Sequence, residues 1–143
     1  MTVLINILSF LFIITILVVI HELGHFLAAK SIGLRVEKFY VGFNLFGLGL
    51  KKKINETEFG IGLFPIGGYV KVAGMIDESL DDQYNGEPDE YVSKSMLQKI
   101  WFTSGGVIFN FILAFILFSG LTFFNGRAVP LDTTIIGVIV ENE

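Results

Sequence analysis

A chain of 143 residues that is 52% apolar, carries 15 phenylalanines and has a mean hydropathy of +0.68 is too apolar for an ordinary water-soluble domain and belongs with membrane proteins. With no cysteine it has no disulfide framework, no thiolate metal site and no cysteine nucleophile. Its net charge of -4 offers no basic face, so no nucleic acid is expected among its partners.

The first predicted element is apolar from Val3 to Ile20, 18 residues interrupted only by Asn6, Ser9 and Thr15. No Lys or Arg precedes this run, and the helical pattern continues to Ser31 with Gly33 just beyond as a stop, so residues 1–34 read as a retained transmembrane helix rather than a signal peptide. Near its inner end stands Val19-Ile20-His21-Glu22-Leu23-Gly24-His25-Phe26. Residues four apart share a helix face, so His21 and His25 can offer two imidazoles to one metal ion, with Zn2+ the expected one. Glu22 is offset from them, which suits a base acting on water rather than a third ligand. The plainer alternative is a chance H-E-x-x-H whose histidines are satisfied core residues. Against it, these are the chain's only two histidines. A glutamate in a membrane helix also costs roughly 2.5–3.5 kcal/mol on insertion scales and needs a partner or a use. At 1.5 Å per residue the motif lies about 27 Å along the helix, near one face of a core roughly 30 Å thick.

Residues 35–75 read as a β segment in which two short strands stand out. Thr57 to Leu63 and Tyr69 to Val72 flank Pro65 and Gly67-Gly68. Phe59, Ile61 and Leu63 share one face, while Gly60 and Gly62 leave the other bare. A strand edge there could hold an extended peptide by main-chain hydrogen bonds, and a plain amphipathic hairpin lying on the bilayer fits the composition equally. Lys51-Lys52-Lys53 is expected to anchor topology and touch anionic lipid, and Asn55-Glu56-Thr57 is a chance match to a glycosylation acceptor.

Residues 76–99 hold an acidic stretch, Asp77 to Glu90, expected to be a solvated, mobile loop leading to the next helix. The second predicted span, 100–124, opens with Trp101 and carries Gly105, Gly106 and Asn110 in an apolar run. Asn110 serves either as a hydrogen-bonding link between helices or as a group facing the metal cavity or a bound peptide. In 125–143 a strand is expected from Thr134 to Val140, the start of a further domain. Nine of the ten basic residues fall between Lys30 and Lys99, which places residues 35–99 on the cytoplasmic side and both termini on the outer side of a multi-pass protein. The predicted fold class is therefore a mainly α membrane protein, two transmembrane helices joined by a cytoplasmic-side segment with a β-hairpin or sheet.

With these motifs in view, the chain resembles the site-2 protease family of intramembrane zinc metalloproteases, in its bacterial type with a PDZ insertion. His21-Glu22-Leu23-Gly24-His25 looks like the family's metal motif, and Phe64-Pro65-Ile66-Gly67-Gly68-Tyr69-Val70-Lys71 is similar to the signature after its membrane-reentrant β-loop. Lys94-Ser95 and Gly106-Val107-Ile108-Phe109-Asn110-Phe111 resemble the entry to its next helix, with Val107 where the family usually has Pro. Gly42-Phe43-Asn44 likewise departs from the G-F-G of many members.

The resemblance implies a protease of the bacterial inner membrane that cleaves the transmembrane segment of single-pass proteins such as anti-sigma factors. His21 and His25 would bind zinc and Glu22 would activate water. Substrate would lie along Gly60, Gly62, Gly67, Gly68 and Asn110, and residues 125–143 would begin a PDZ-like domain. The family's third zinc ligand is an Asp in an L-D-G motif on a later helix. Leu131-Asp132-Thr133 does not supply it, so the remaining helices of a longer chain are the expected source and the 143-residue chain alone is expected to be inactive. The alternative is a non-catalytic metal-binding membrane adaptor for single-pass partners.

Overall fold

The computed structural model describes residues 1–43, 49–62, 64–75 and 86–126. Two helices, α1 (Thr2–Ser31) and α2 (Met96–Asn125), are each long and apolar enough to cross a membrane. Between them strands β1 (Val36–Phe43), β2 (Gly49–Ile54), β3 (Thr57–Gly62) and β4 (Phe64–Val72) form one sheet in the order β2-β3-β1-β4.

The helix ends follow from local chemistry. Gly33 takes φ +66°, which lets Leu34 N–H reach the Ala29 carbonyl and Gly33 N–H reach that of Lys30, closing α1 with a Schellman turn. Ser95 caps α2 in a capping box with Gln98. Lys94 Nζ donates to the Gly33 carbonyl at 3.0 Å, and Trp101 Nε1 donates to Ser31 Oγ at 3.0 Å, so the end of α1 is tied to the start of α2.

The sheet is mixed. β2 and β3 form an antiparallel hairpin that turns at Asn55, whose φ is +54°. The residue that matched a glycosylation acceptor is thus the turn itself, a role asparagine tolerates well. β1 pairs parallel with β3 and antiparallel with β4. β3 is therefore an interior strand, which corrects the expected free edge at Gly60 and Gly62: Gly62 pairs with Gly49, and Gly60 pairs with Lys51 on one side and Tyr40 on the other. Nor is the bare face of Gly60 open, because a Cβ there would fall 2.1 Å from the Tyr40 ring. The true edges belong to β2, exposed throughout, and to β4, which runs unbroken through Pro65 and Gly67-Gly68, as an edge strand allows. The sheet packs on α1 rather than lying as an isolated hairpin: Phe26 of α1 meets Phe39 and Phe59, with ring centroids 5.4 and 5.7 Å away.

A small core of Ala29, Leu34, Val36, Val72 and Phe102 sits where α1 ends, the sheet begins and α2 starts. Beside it, the described end of the acidic stretch is anchored at Glu90, while Gly86 to Pro88 stay exposed as expected of a solvated loop. Arg35 pairs with Glu87 at 2.9 Å, with Asp89 at 3.6 Å and with Glu90 at 3.8 Å, and the Glu90 side chain is 1% exposed. Main-chain bonds run alongside, from Arg35 N–H to the Asp89 carbonyl and from Tyr91 N–H to that of Ala73. A charge run is a poor guide here because its counter-ion lies far back in the chain. Leu63, residues 76–85 and the tail from 127, with the expected strand and domain start, lie outside the described residues.

Candidate metal centre

The H-E-x-x-H turn lies where α1 crosses α2, and glycine sets the distance. A Cβ on Gly24 would fall 2.4 Å from the Gly105 carbonyl oxygen, and one on Gly105 would fall 2.7 Å from that of Gly24. Only backbone against backbone fits. This close approach brings α2 over the two imidazoles.

His21 and His25 face each other edge-on, with ring centroids 4.8 Å apart and Nε2 atoms 3.2 Å apart. Two nitrogens bound to one tetrahedral zinc at about 2.0–2.1 Å would stand about 3.3 Å apart, so the observed spacing fits that ion without rearrangement. The other ring nitrogens are held from α2. His25 Nδ1 is 2.8 Å from the Phe102 carbonyl oxygen, which can only accept, so Nδ1 carries the proton and leaves the Nε2 lone pair for a metal. Asn110 lies 3.3 Å from His21 Nδ1. Room beside both Nε2 atoms depends on Gly106, where a Cβ would lie 2.6 Å from each.

Glu22 is 8% exposed and points toward β4. Gly68 makes that possible: a Cβ there would lie 2.8 Å from Glu22 Cγ and 2.7 Å from the Tyr40 carbonyl. Between helix and strand opens a cavity of about 260 Å³ lined by Leu17 and Val18 with His21, Glu22, Gly67, Gly68 and Asn110. The structure thus brings the metal motif together with Gly67, Gly68 and Asn110, and leaves Gly60 under the Tyr40 ring and Gly62 paired in the hairpin. Among the described residues no group of three potential metal-binding side chains is assembled, so His21 and His25 stand as a partial donor set.

Two contributors were not legible as site residues. Gly106 reads in sequence as a helix-packing residue, and its one-turn spacing from Asn110 is the signal that both share the face over the histidines. The Phe102 carbonyl has no sequence signal at all.

The family described as Peptidase family M50 matches residues 9–141. A Helicobacter pylori protein named "Putative zinc metalloprotease" is 38% identical over 131 residues, which is 88% of this chain and 35% of that protein. A Chlamydia trachomatis protein of the same name is 38% identical over 130 residues, 85% of this chain and 20% of its own length. One from Clostridium acetobutylicum is 41% identical over 115 residues, 80% of this chain and 32% of its length. This chain therefore spans between a fifth and about a third of the relatives it matches. An H-E-x-x-H turn with paired imidazole nitrogens, set in an apolar helix and matched over nearly its whole length, makes the chain a member of peptidase family M50, the site-2 protease family.

Proposed function

We propose that this chain carries the catalytic motif of an intramembrane zinc endopeptidase that cuts the transmembrane segment of single-pass membrane proteins, in the manner of regulated intramembrane proteolysis of anti-sigma factors. The observation that carries the proposal is the Nε2 pair at 3.2 Å beside Glu22, at the wall of a cavity whose far side is the Gly67-Gly68 backbone of β4.

His21 and His25 hold the metal, and further helices contribute the third ligand. When bound, zinc supplies Lewis acidity, bringing the pKa of water to about 7 and polarising a carbonyl. Glu22 then takes a proton from the attacking water and returns it to the departing amide nitrogen. A helical substrate has its carbonyls committed to internal hydrogen bonds and must unwind locally before attack. The outer edge of β4 offers replacement partners: an extended segment pairing there runs past Gly67 and Gly68, and the missing side chain at Gly68 keeps the backbone of β4 itself close to Glu22. Leu17 and Val18 form the apolar part of the helix wall of the cavity. Both helices span the bilayer of the bacterial inner membrane, with residues 35–99 on the cytoplasmic side, where the basic residues concentrate.

The test is cleavage of a single-pass substrate in detergent by the full-length protein, with Glu22→Gln as the variant. Turnover is expected to fall by about 10²–10⁴-fold with zinc content unchanged, since the base is lost and both imidazoles remain. Unchanged turnover would remove Glu22 from the mechanism. Zinc and substrate binding with no cleavage by the wild type would favour a non-catalytic adaptor.

A further inference from the structure

Asn110 lies one helical turn beyond Gly106, so the residue that leaves room beside the Nε2 atoms and the residue that touches the far side of His21 share one face of α2. The Asn110 amide nitrogen is 3.3 Å from His21 Nδ1, and the amide oxygen is buried with no hydrogen-bond partner among the described residues. The two ends of a primary amide have the same shape, so hydrogen bonding decides which one faces the ring.

Each choice fixes a proton. With the nitrogen toward the ring, Nδ1 must accept, and neutral His21 carries its proton on Nε2, where it meets the His25 Nε2 lone pair 3.2 Å away. That arrangement ties the two Nε2 atoms to each other and leaves His21 no lone pair for an ion. With the oxygen toward the ring, His21 Nδ1–H donates to it, and both Nε2 lone pairs turn to the space beside Gly106. Only the second choice is compatible with a metal held by both histidines.

We propose that Asn110 is a positioning residue for the metal centre: its amide oxygen accepts the Nδ1–H of His21, fixes that tautomer and so presents Nε2 to zinc. The proposal rests on the metal assignment above and adds the partner of the one ligand whose support a main-chain carbonyl does not provide. His25 is oriented by the backbone of α2 and His21 by a side chain of α2. Ligand geometry is thereby coupled to the pairing of the two helices.

In the full-length protein, selective nitrogen labelling of histidine follows both rings by NMR in detergent, their signals assigned by their loss in His21→Ala and His25→Ala. In zinc-loaded wild type, both Nδ1 atoms are expected to be protonated and both Nε2 atoms metal-shifted. Asn110→Leu is expected to weaken zinc affinity by about 10–100-fold and to release His21 from its single tautomer. The His25 resonances should stay in place, which reports that the helix crossing is intact. Asn110→Asp keeps an acceptor oxygen and should restore both properties. Zinc on His21 Nδ1 in the wild type overturns the proposal without recourse to any variant, as does an Asn110→Leu protein whose affinity and His21 tautomer are unchanged. Full-length wild-type protein that takes up no zinc would instead overturn the metal assignment itself.

Discussion

The ends of the two helices that meet the sheet, their inner part, and the ends that lead away from it, their outer part, do different things. The buried residues of α1, Glu22, Gly24, Ala28 and Ala29, and those of α2, Phe102, Gly105 and Gly106, all fall where the helices cross and meet the sheet. Farther out, Ile5, Phe10 and Phe12 on α1 and Phe111, Phe115 and Phe118 on α2 are exposed. Apolar side chains suffice to place a helix in lipid, but lipid competes for them on equal terms, so they do not select a partner. Small residues and hydrogen bonds do. The inner part is a prearranged site, and the outer part is an exposed apolar surface.

The sharpest way to break this contrast uses two glycines of α2. A Cβ at Gly106 meets both Nε2 atoms at 2.6 Å, whereas one at Gly120 meets nothing within 4 Å. Gly106→Ala is expected to lower zinc affinity by at least about tenfold, as for other changes that disturb ligand orientation. Gly120→Ala should leave affinity unchanged and stabilise α2 by up to about 0.5–1 kcal/mol. Chelator-competition titrations giving equal affinities for the two variants would erase the distinction.

A smaller effect is expected at Arg35, on the inner side. Arg35→Ala removes the cation that Glu87, Asp89 and Glu90 share, and because Arg35 is itself 29% exposed the loss should be about 1–2 kcal/mol. Hydrogen exchange should quicken at residues 89–91 and remain unchanged in the outer turns of α2. Uniform quickening along α2 would mean that the two parts of the helix unfold as one.

The smallest effect belongs to the sheet. Tyr40 donates a hydrogen bond to Glu58, which pushes the phenol up to about 12 and holds the Glu58 carboxyl below its usual range. The bond's contribution is complete between the two ionisations. It fades as the pH falls through the lowered carboxyl value and again as it rises through about 12. An alkaline absorbance titration should show a late tyrosine ionisation at about 12, and Tyr40→Phe should remove it while lowering the melting temperature by only about a few degrees. A late step that persists unchanged in Tyr40→Phe would refute the bond.

What the sequence disclosed tracks how local each feature is. His21, Glu22 and His25 depend on a spacing within one helix turn, and both helices depend on unbroken apolar runs, so these were readable. β1 was not recognised as a strand, because its place between β3 and β4 comes from a parallel pairing that spans a whole hairpin. The same pairing carries the Tyr40 ring over Gly60, so a bare face that looked available in one strand is filled from the next. Asn110 was legible as a polar residue in need of a partner, but nothing short of the helix crossing could say that the partner is His21.

The sheet leaves and rejoins the chain at a single neck. Val36 pairs with Val72, and Ala73 N–H donates to the Arg35 carbonyl at 2.9 Å, so 37 residues are inserted between two points that touch. The register of the helices is set elsewhere, at Gly24 with Gly105 and at Gly33 with Lys94. Because the entropy of closing a loop grows only slowly with its length, such an insert can lengthen, shorten or change its outer strands at little cost to the helix pair. The fold thus behaves as a fixed helical frame with an exchangeable cassette, in which β4 beside Glu22 is retained and the far strand, β2, is open to be reshaped.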